Sequence, residues 1–211
     1  MVRPVRCAIP GRLHYVLQAG LSNVFLCEED RLDYLGALST VAAREGVVVA
    51  GYALLPREAR FLLVPSSSAK LSRCMQELSR RFVRAFNARH AHAGTVWRDR
   101  YRACPIEPGL EFEACRYLER LPVEAGLAIR PWLYLWSSAP HHAGARSDAF
   151  LSRLSAFEKL GETEPLRAKR WRTILEAPSP AGFGKRLELS ARRGRPFSSD
   201  APGRKPRPSK E

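Results

Sequence analysis

Blocks of apolar and polar residues predict a regular succession of strands and helices along the first 120 or so residues. Residues 12–18 read as a strand, and Gly20 and Asn23 after it are typical of a loop. Residues 28–45 carry apolar side chains at helical spacing and begin with acidic residues. Because Gly46 can adopt the left-handed conformation of a helix end, it predicts where this helix stops.

The second half of this succession begins with an apolar run. Residues 47–55 predict a buried strand, Pro56 a turn, and residues 60–64 the next strand. Ser68 is a candidate N-cap for a helix over about 70–90.

A strand near 101–107 and a helix over about 110–121 complete the set. The β-α-β-β-α-β-α order predicts an α+β fold of the ferredoxin-like plan. We therefore expect an antiparallel sheet with helices on one face.

The helix over 70–90 has two chemically distinct faces. Within about 80° of arc, at 100° per residue, lie its apolar side chains: Leu71, Met75, Leu78, Phe82 and Phe86. The opposite side carries Arg73, Gln76, Arg80, Arg84 and Asn87. Residues 70–102 hold nine basic and two acidic residues. Since the arginine fork suits phosphate oxygens, this face predicts nucleic-acid binding, with a solvated charged helix face as the alternative.

The amino-acid composition also favours nucleic-acid binding. The 211 residues carry 35 Lys and Arg against 21 Asp and Glu, a net charge of +14. This charge favours a polyanionic partner, either nucleic acid or an acidic membrane surface. No apolar run approaches the roughly 18 residues of a membrane span, and the N-terminus lacks a signal-like stretch, so we expect a cytoplasmic protein with no membrane partner.

Cysteine and histidine give little support for a metal site or a disulfide framework. The five cysteines form no C-x-x-C pair, which favours reduced thiols. His90 and His92 lie in a predicted loop, where both rings can face solvent. His141 and His142 are a weaker candidate pair.

The C-terminal third differs in character from the rest. Short amphipathic helices are predicted within residues 147–176. Residues 191–211 contain seven basic residues, and Phe197 is their only candidate core residue, so we expect a disordered basic tail that adds nucleic-acid affinity or solubility. The predicted division is 1–140, a helical extension over 141–190, and the tail.

Three segments carry motifs of one protein family. In the predicted strand between Tyr52 and Pro65, Glu58 and Arg60 precede an apolar run. Residues 80–101 combine a basic helix with the sequence Trp-Arg-Asp-Arg-Tyr. Residues 115–127 read Cys-Arg-Tyr-Leu-Glu-Arg-Leu-Pro-Val-Glu-Ala-Gly-Leu. Over roughly residues 1–140 the chain resembles the single-tyrosine HUH transposases of small insertion sequences and their REP-associated tyrosine transposase relatives.

The resemblance implies DNA cleavage and rejoining by a tyrosine that forms a 5′-phosphotyrosine link. Tyr117 stands at the position of this nucleophile. In the family a histidine pair holds Mg²⁺ or Mn²⁺. The implied partner is single-stranded or hairpin DNA, and a homodimer is favoured. The candidate DNA-binding residues are Arg73, Arg80, Arg84, Arg98 and Arg100.

Glu58 and Arg60 replace the histidine pair. A guanidinium has no lone pair to offer a metal, and one carboxylate leaves a cation short of ligands, so we expect weak or absent metal binding and impaired cleavage. Whether the chain is an enzyme stays open. The alternatives are a non-catalytic protein that binds single-stranded or hairpin DNA, cleavage assisted by Arg60 without metal, and an RNA-binding sheet. The last lacks the aromatic strand motif that such sheets carry.

Overall fold

The computed structural model describes residues 8–199, which form an α+β fold around a four-stranded antiparallel sheet. The strand order is β2-β3-β1-β4, and all three neighbouring pairs are antiparallel. The predicted α+β class, with an antiparallel sheet, and the succession of elements up to residue 124 are confirmed. The strands are β1 (His14–Ala19), β2 (Val47–Leu55), β3 (Glu58–Pro65) and β4 (Arg102–Pro105).

Six α-helices and two short 3-10 turns lie within the described residues. The turns span Pro131–Leu133 and Ser155–Leu160. The α-helices are α1 (Glu28–Glu45), α2 (Ser68–His90), α3 (Glu111–Glu124), α4 (Ala139–His142), α5 (Glu164–Glu176) and α6 (Phe183–Arg193). The helix α1 ends as predicted because Gly46 adopts a left-handed conformation. The helix α2 begins at Ser68, and its N-cap is Ser67, one residue before the predicted N-cap Ser68.

Helices cover both faces of the sheet, so the expectation of helices on one face only was wrong. One core joins the sheet to α1 and α2, and a second core on the opposite face joins it to α3, α5 and α6. The burial pattern of the strands explains why both faces are covered. Adjacent residues such as Tyr15 and Val16 point to opposite faces, yet both are fully buried.

The chain after α6 packs on the edge of the sheet. Phe197 is buried, its N–H donates to the Pro105 carbonyl at 2.9 Å, and Glu107 N–H donates to the Phe197 carbonyl at 2.9 Å. Residues 191–199 therefore do not belong to a disordered tail, because Phe197 anchors them. The rest of the predicted tail, residues 200–211, lies outside the described residues. No helix of the described part combines the length and the apolar character that crossing a membrane requires.

Candidate active site

Tyr117 lies beneath α6, on the face of α3 that packs against the sheet. Its neighbours on α3, Cys115 and Leu118, are fully buried, and its own side chain is 5% exposed. The Tyr117 hydroxyl donates to Oε1 of Glu188 on α6 at 2.8 Å. On its other side, Nη1 of Arg60 lies 3.0 Å from the same hydroxyl oxygen.

Arg60 is the centre of a cluster that spans two strands and two helices, here called the Arg60 cluster. Because Glu58 and Arg60 are two residues apart on β3, their side chains share one face of the sheet. Oε1 of Glu58 accepts from Nε of Arg60 at 2.7 Å and lies 2.6 Å from its Nη2. Nη1 of Arg60 also contacts Tyr15 Oη at 2.7 Å and Glu188 Oε1 at 2.6 Å. The cluster therefore consists of Tyr15, Glu58, Arg60, Tyr117 and Glu188.

The electrostatics of the cluster favour a charged guanidinium and a neutral phenol. Burial opposes the charged form of Arg60, but the surrounding oxygens, including those of Glu58 and Glu188, raise its pKa above the ordinary value. Burial raises the pKa of Tyr117, and the nearby Arg60 offsets this only in part. Burial also opposes the ionised form of Glu188, yet Arg60 holds the pKa of that carboxyl below its usual range. At neutral pH, Tyr117 is therefore even less ionised than a free phenol, of which about one in a thousand is ionised.

The donor set of the Arg60 cluster does not fit the divalent cation that the resemblance implies. The two carboxylates could each supply an oxygen ligand, but both lie within 2.7 Å of guanidinium nitrogens. A cation between them would displace Arg60 or meet its positive charge. Both carboxylates are therefore already neutralised by the guanidinium, and the cluster does not provide a divalent-cation site.

A cleft of 540 Å³ opens beside this cluster. Glu58, Arg60 and Glu188 contribute to its wall, whereas Tyr117 is not among its lining residues. Its remaining charged lining is mostly arginine: Arg57, Arg98, Asp99, Arg100, Arg102 and Arg192. The cleft is therefore suited to an anionic ligand, which would reach Arg60 before it reached Tyr117.

A second cavity, of 890 Å³, lies between α2 and the segment before β4. It brings together four of the five arginines predicted to bind DNA, namely Arg80, Arg84, Arg98 and Arg100. Arg73 does not line it and instead pairs with Glu45 at 3.1 Å. Arg80 pairs with Glu77 at 2.8 Å, whereas the other three form no ion pair with any residue that the structure describes.

Comparison with protein-family models and with curated proteins finds no match. Among solved structures, the chain is similar to that of the REP-associated tyrosine transposase bound to a REP hairpin, with a TM-score of 0.58 and 14% sequence identity. The match covers 73% of this chain and 99% of that chain. The two proteins share a fold. A candidate transposase of Deinococcus radiodurans R1 aligns with a TM-score of 0.39 and 16% identity, over 56% of this chain and 97% of that one.

Two members of the Arg60 cluster, Glu188 and Tyr15, were not predicted as site residues from the sequence. Glu188 lies 71 residues after Tyr117, in a segment assigned to a helical extension. Tyr15 reads as an apolar strand residue. Pairing of β1 with β3 brings Tyr15 to Arg60, and the docking of α6 onto the sheet brings Glu188 there.

Glu119 has a structural role that its sequence position did not reveal. Its side chain is fully buried, and its two carboxylate oxygens accept three hydrogen bonds. Ser138 Oγ lies 2.6 Å and His142 Nδ1 2.5 Å from Oε1, and Trp171 Nε1 lies 2.7 Å from Oε2. These bonds tie α3 to α4 and α5 and satisfy a buried carboxylate.

Two groups of potential metal ligands occur among the described residues, both away from the Arg60 cluster. Cys115 joins Glu119 and His142 in one buried group, and Cys27, Asp30 and His90 form the other. His90 Nε2 lies 2.9 Å from Asp30 Oδ1, whereas His92 Nδ1 lies 3.0 Å from Asn87 Oδ1. His90 and His92 thus have separate partners, and hydrogen bonds account for the carboxylates in both groups.

Proposed function

We propose that this protein is a member of the tyrosine transposase family that binds single-stranded or hairpin DNA in the cytoplasm and has impaired strand cleavage. The observation that supports the proposal is the Arg60 cluster, in which a guanidinium, at a position where the resemblance implies a metal-binding histidine, lies next to Tyr117. The fold match to a transposase bound to a REP hairpin supports the choice of DNA as the ligand.

The arginine-lined cavities support the binding half of the proposal. Arg98 and Arg100 line both of them, so one nucleic-acid strand could contact these two side chains while passing from one cavity to the other. Arginines without carboxylate partners keep their donors available for phosphate oxygens. The test compares the binding of labelled hairpin DNA by the parent protein and by a variant with Arg84→Ala, Arg98→Ala and Arg100→Ala.

In that test, affinity should fall and its salt dependence should weaken by about 0.7 to 0.9 units of log-log slope per lost phosphate contact. Arg44→Ala, an exposed arginine on α1 that lines neither cavity, is the matched control and should change little. Equal affinity and slope in the triple variant and the parent would contradict the proposed binding surface.

The cleavage half is tested by incubating the protein with hairpin-bearing single-stranded DNA and Mn²⁺ or Mg²⁺ and assaying covalent adducts. We expect none above the level of Tyr117→Phe. A second candidate function, cleavage without metal, is favoured by the hydrogen bond from Tyr117 to Glu188 and by the closeness of Arg60. An adduct that persists in a metal chelator and disappears in Tyr117→Phe would establish that second function.

A further inference from the structure

A buried group of three potential metal ligands joins α3 to α4. Cys115 and Glu119 are four residues apart on α3, so their side chains share one face of that helix. His142 of α4 lies against them, with its Nδ1 2.5 Å from Glu119 Oε1 and 3.9 Å from Cys115 Sγ. None of the three is more than 1% exposed. Thiolate, imidazole and carboxylate are the ligand types that Zn²⁺ takes from proteins.

The absence of a permanent cation distinguishes this group from the other carboxylate sites. A guanidinium holds both carboxylates of the Arg60 cluster, and Arg89 Nη1 lies 2.7 Å from Oδ1 of Asp30 in the second ligand group. Within the described part of the chain, Glu119 forms its ion pair with His142 and with no lysine or arginine. A metal ion could therefore enter here without displacing a fixed positive charge.

The charge of the group stays balanced when a divalent cation replaces two protons. Burial and the nearby Glu119 carboxylate raise the pKa of Cys115, so the metal-free group contains a thiol. With His142 as an imidazolium, the net charge is zero. A divalent cation that sends the Sγ and Nδ1 protons to solvent leaves a thiolate, a carboxylate and a neutral imidazole around two positive charges, again zero. Burial therefore does not oppose the exchange.

The ligand atoms are spaced almost as a tetrahedral zinc site requires. Zinc–ligand bonds of about 2.3 Å to sulfur and about 2.0 Å to nitrogen place the sulfur and nitrogen roughly 3.5 Å apart, close to the observed 3.9 Å. Nδ1 and Oε1 would separate by less than about 1 Å. Trp171 Nε1 and Ser138 Oγ hold the Glu119 carboxylate at 2.7 and 2.6 Å, as outer partners of metal ligands do. A water completes a three-ligand site of this kind.

We propose that Cys115, Glu119 and His142 form a structural site for a divalent cation of the Zn²⁺ class. The thiolate selects against Mg²⁺ and Ca²⁺, which prefer oxygen ligands. The ion fastens α3 to α4 two residues beyond Tyr117, and the site does not depend on DNA binding. Because the group is buried, the ion is taken up as the chain folds.

Refolding with and without metal tests the site. Untagged full-length protein is unfolded in urea with a reductant that does not bind metal, then refolded with Zn²⁺ or with a chelator. After free metal is removed, the Zn²⁺ sample should hold one ion per chain by atomic absorption. Free Zn²⁺ at about 100 times Kd should raise the folded-to-unfolded ratio about hundredfold. Refolded protein that holds no metal would overturn the proposal.

Cobalt and three cysteine variants assign the ion to its ligands. Co²⁺ in place of Zn²⁺ should give the charge-transfer absorption of a cobalt thiolate, and Cys115→Ala should abolish both this absorption and the stabilisation. Cys104→Ala is the matched control, because Cys104 is buried in the same core but its Sγ contacts the Leu187 carbonyl. Cys27→Ala tests the second ligand group. Both should behave like the parent.

Two outcomes would place the ion elsewhere and overturn the proposal. One is cobalt–thiolate absorption that persists in Cys115→Ala, and the other is its loss in Cys27→Ala. The parent and Cys27→Ala decide the question even if Cys115→Ala does not fold.

Discussion

A single residue, Arg60, determines what the candidate site can do. It pairs with two partly buried carboxylates and contacts two tyrosine hydroxyls, so removing it would leave Glu58 without its guanidinium partner and Glu188 with the Tyr117 hydroxyl as its remaining close donor. Because both carboxylates are partly exposed, the loss should cost less than the about 3 to 5 kcal/mol of breaking a fully buried ion pair. Arg60 is thus an integral part of this site, and a metal-binding version would need compensating changes around it.

That argument leads to a prediction about restored ligands. Glu58→His combined with Arg60→His should let the protein bind Mn²⁺, because two imidazoles and the Glu188 carboxylate would then face the vacated space. Saturating Mn²⁺, at about 100 times Kd, should raise the free energy of unfolding by about 2.7 kcal/mol. Arg60→His alone is the control, since it supplies one imidazole fewer. An unfolding curve of the double variant that Mn²⁺ leaves unchanged would refute the prediction.

The buried tyrosines give a prediction about alkaline pH. Burial raises the pKa of Tyr117 in the folded protein, and four further phenols are raised in the same direction, those of Tyr15, Tyr34, Tyr52 and Tyr134. The unfolded chain then loses these protons first, so the resulting stability is present below about pH 10 and is lost as pH rises above it. Urea unfolding should show Tyr117→Phe losing stability less steeply, by up to about 1.4 kcal/mol per pH unit. Parallel curves above pH 10 would contradict this.

The sequence predicted the role of a residue well where that role depends on neighbouring residues in the chain. The apolar face of α2, from Leu71 to Phe86, is buried as its helical spacing predicted. Glu58 and Arg60 were recognised because a motif surrounds them. Glu188 and Tyr15 could not be found, since their roles depend on contacts 128 and 45 residues away from them in sequence, at Arg60.

At the scale of elements, α6 controls access to Tyr117. Phe183 and Leu187 bury its apolar face, and Gly184 allows it to lie directly on the tyrosine ring. A Cβ on Gly184 would be 2.3 Å from Cε2 of Tyr117, well inside van der Waals contact. The position of this helix therefore depends on a missing side chain.

Gly184→Ala should destabilise the protein by about 1 to 3 kcal/mol, the usual cost of overpacking a close contact. Gly36→Ala is a well-matched control, because Gly36 also lies in a helix but its added Cβ would meet no atom within 4 Å. That control should stabilise the protein by up to about 1 kcal/mol through helix propensity. Chemical denaturation of both variants measures the difference, and a neutral Gly184→Ala would show that α6 does not rest on Tyr117 in solution.

The sequence predicted the positions of the strands and helices up to α3. It did not predict which face of the sheet each helix covers. Periodicity placed each strand and helix within a few residues, but it could not show that both faces of the sheet are covered. The covering helices α5 and α6 have short apolar stripes, such as Trp171 and Leu175, that a periodicity argument cannot attach to a particular surface.

At the scale of the whole molecule, two kinds of basic segment contribute to the net charge of +14. The first kind comprises the arginines that line the two cavities. The second is the segment 200–211, outside the described residues, with four basic and two acidic residues. Under the proposed function, the first kind is expected to distinguish one DNA shape from another. The second kind is expected to attract any DNA through its phosphates.

Neutralising the terminal bases separates these contributions. Replacing Arg204, Lys205, Arg207 and Lys210 by glutamine keeps the chain length and removes four positive charges. Affinity for hairpin, single-stranded and unrelated DNA should fall by the same factor, because only phosphate contacts are lost. Fluorescence anisotropy between about 50 and 200 mM salt should show the log-log slope falling by no more than about 0.9 units per charge.

The cavity variant with Arg84→Ala, Arg98→Ala and Arg100→Ala should behave differently from the terminal variant. It should lose affinity for hairpin and single-stranded DNA more than for continuous duplex, because the proposed function assigns hairpin or single-stranded DNA to these arginines. A terminal variant that lost hairpin binding selectively would show that the end of the chain reads DNA shape. In that case the discrimination assigned to the folded surface would have to be shared between the two segments.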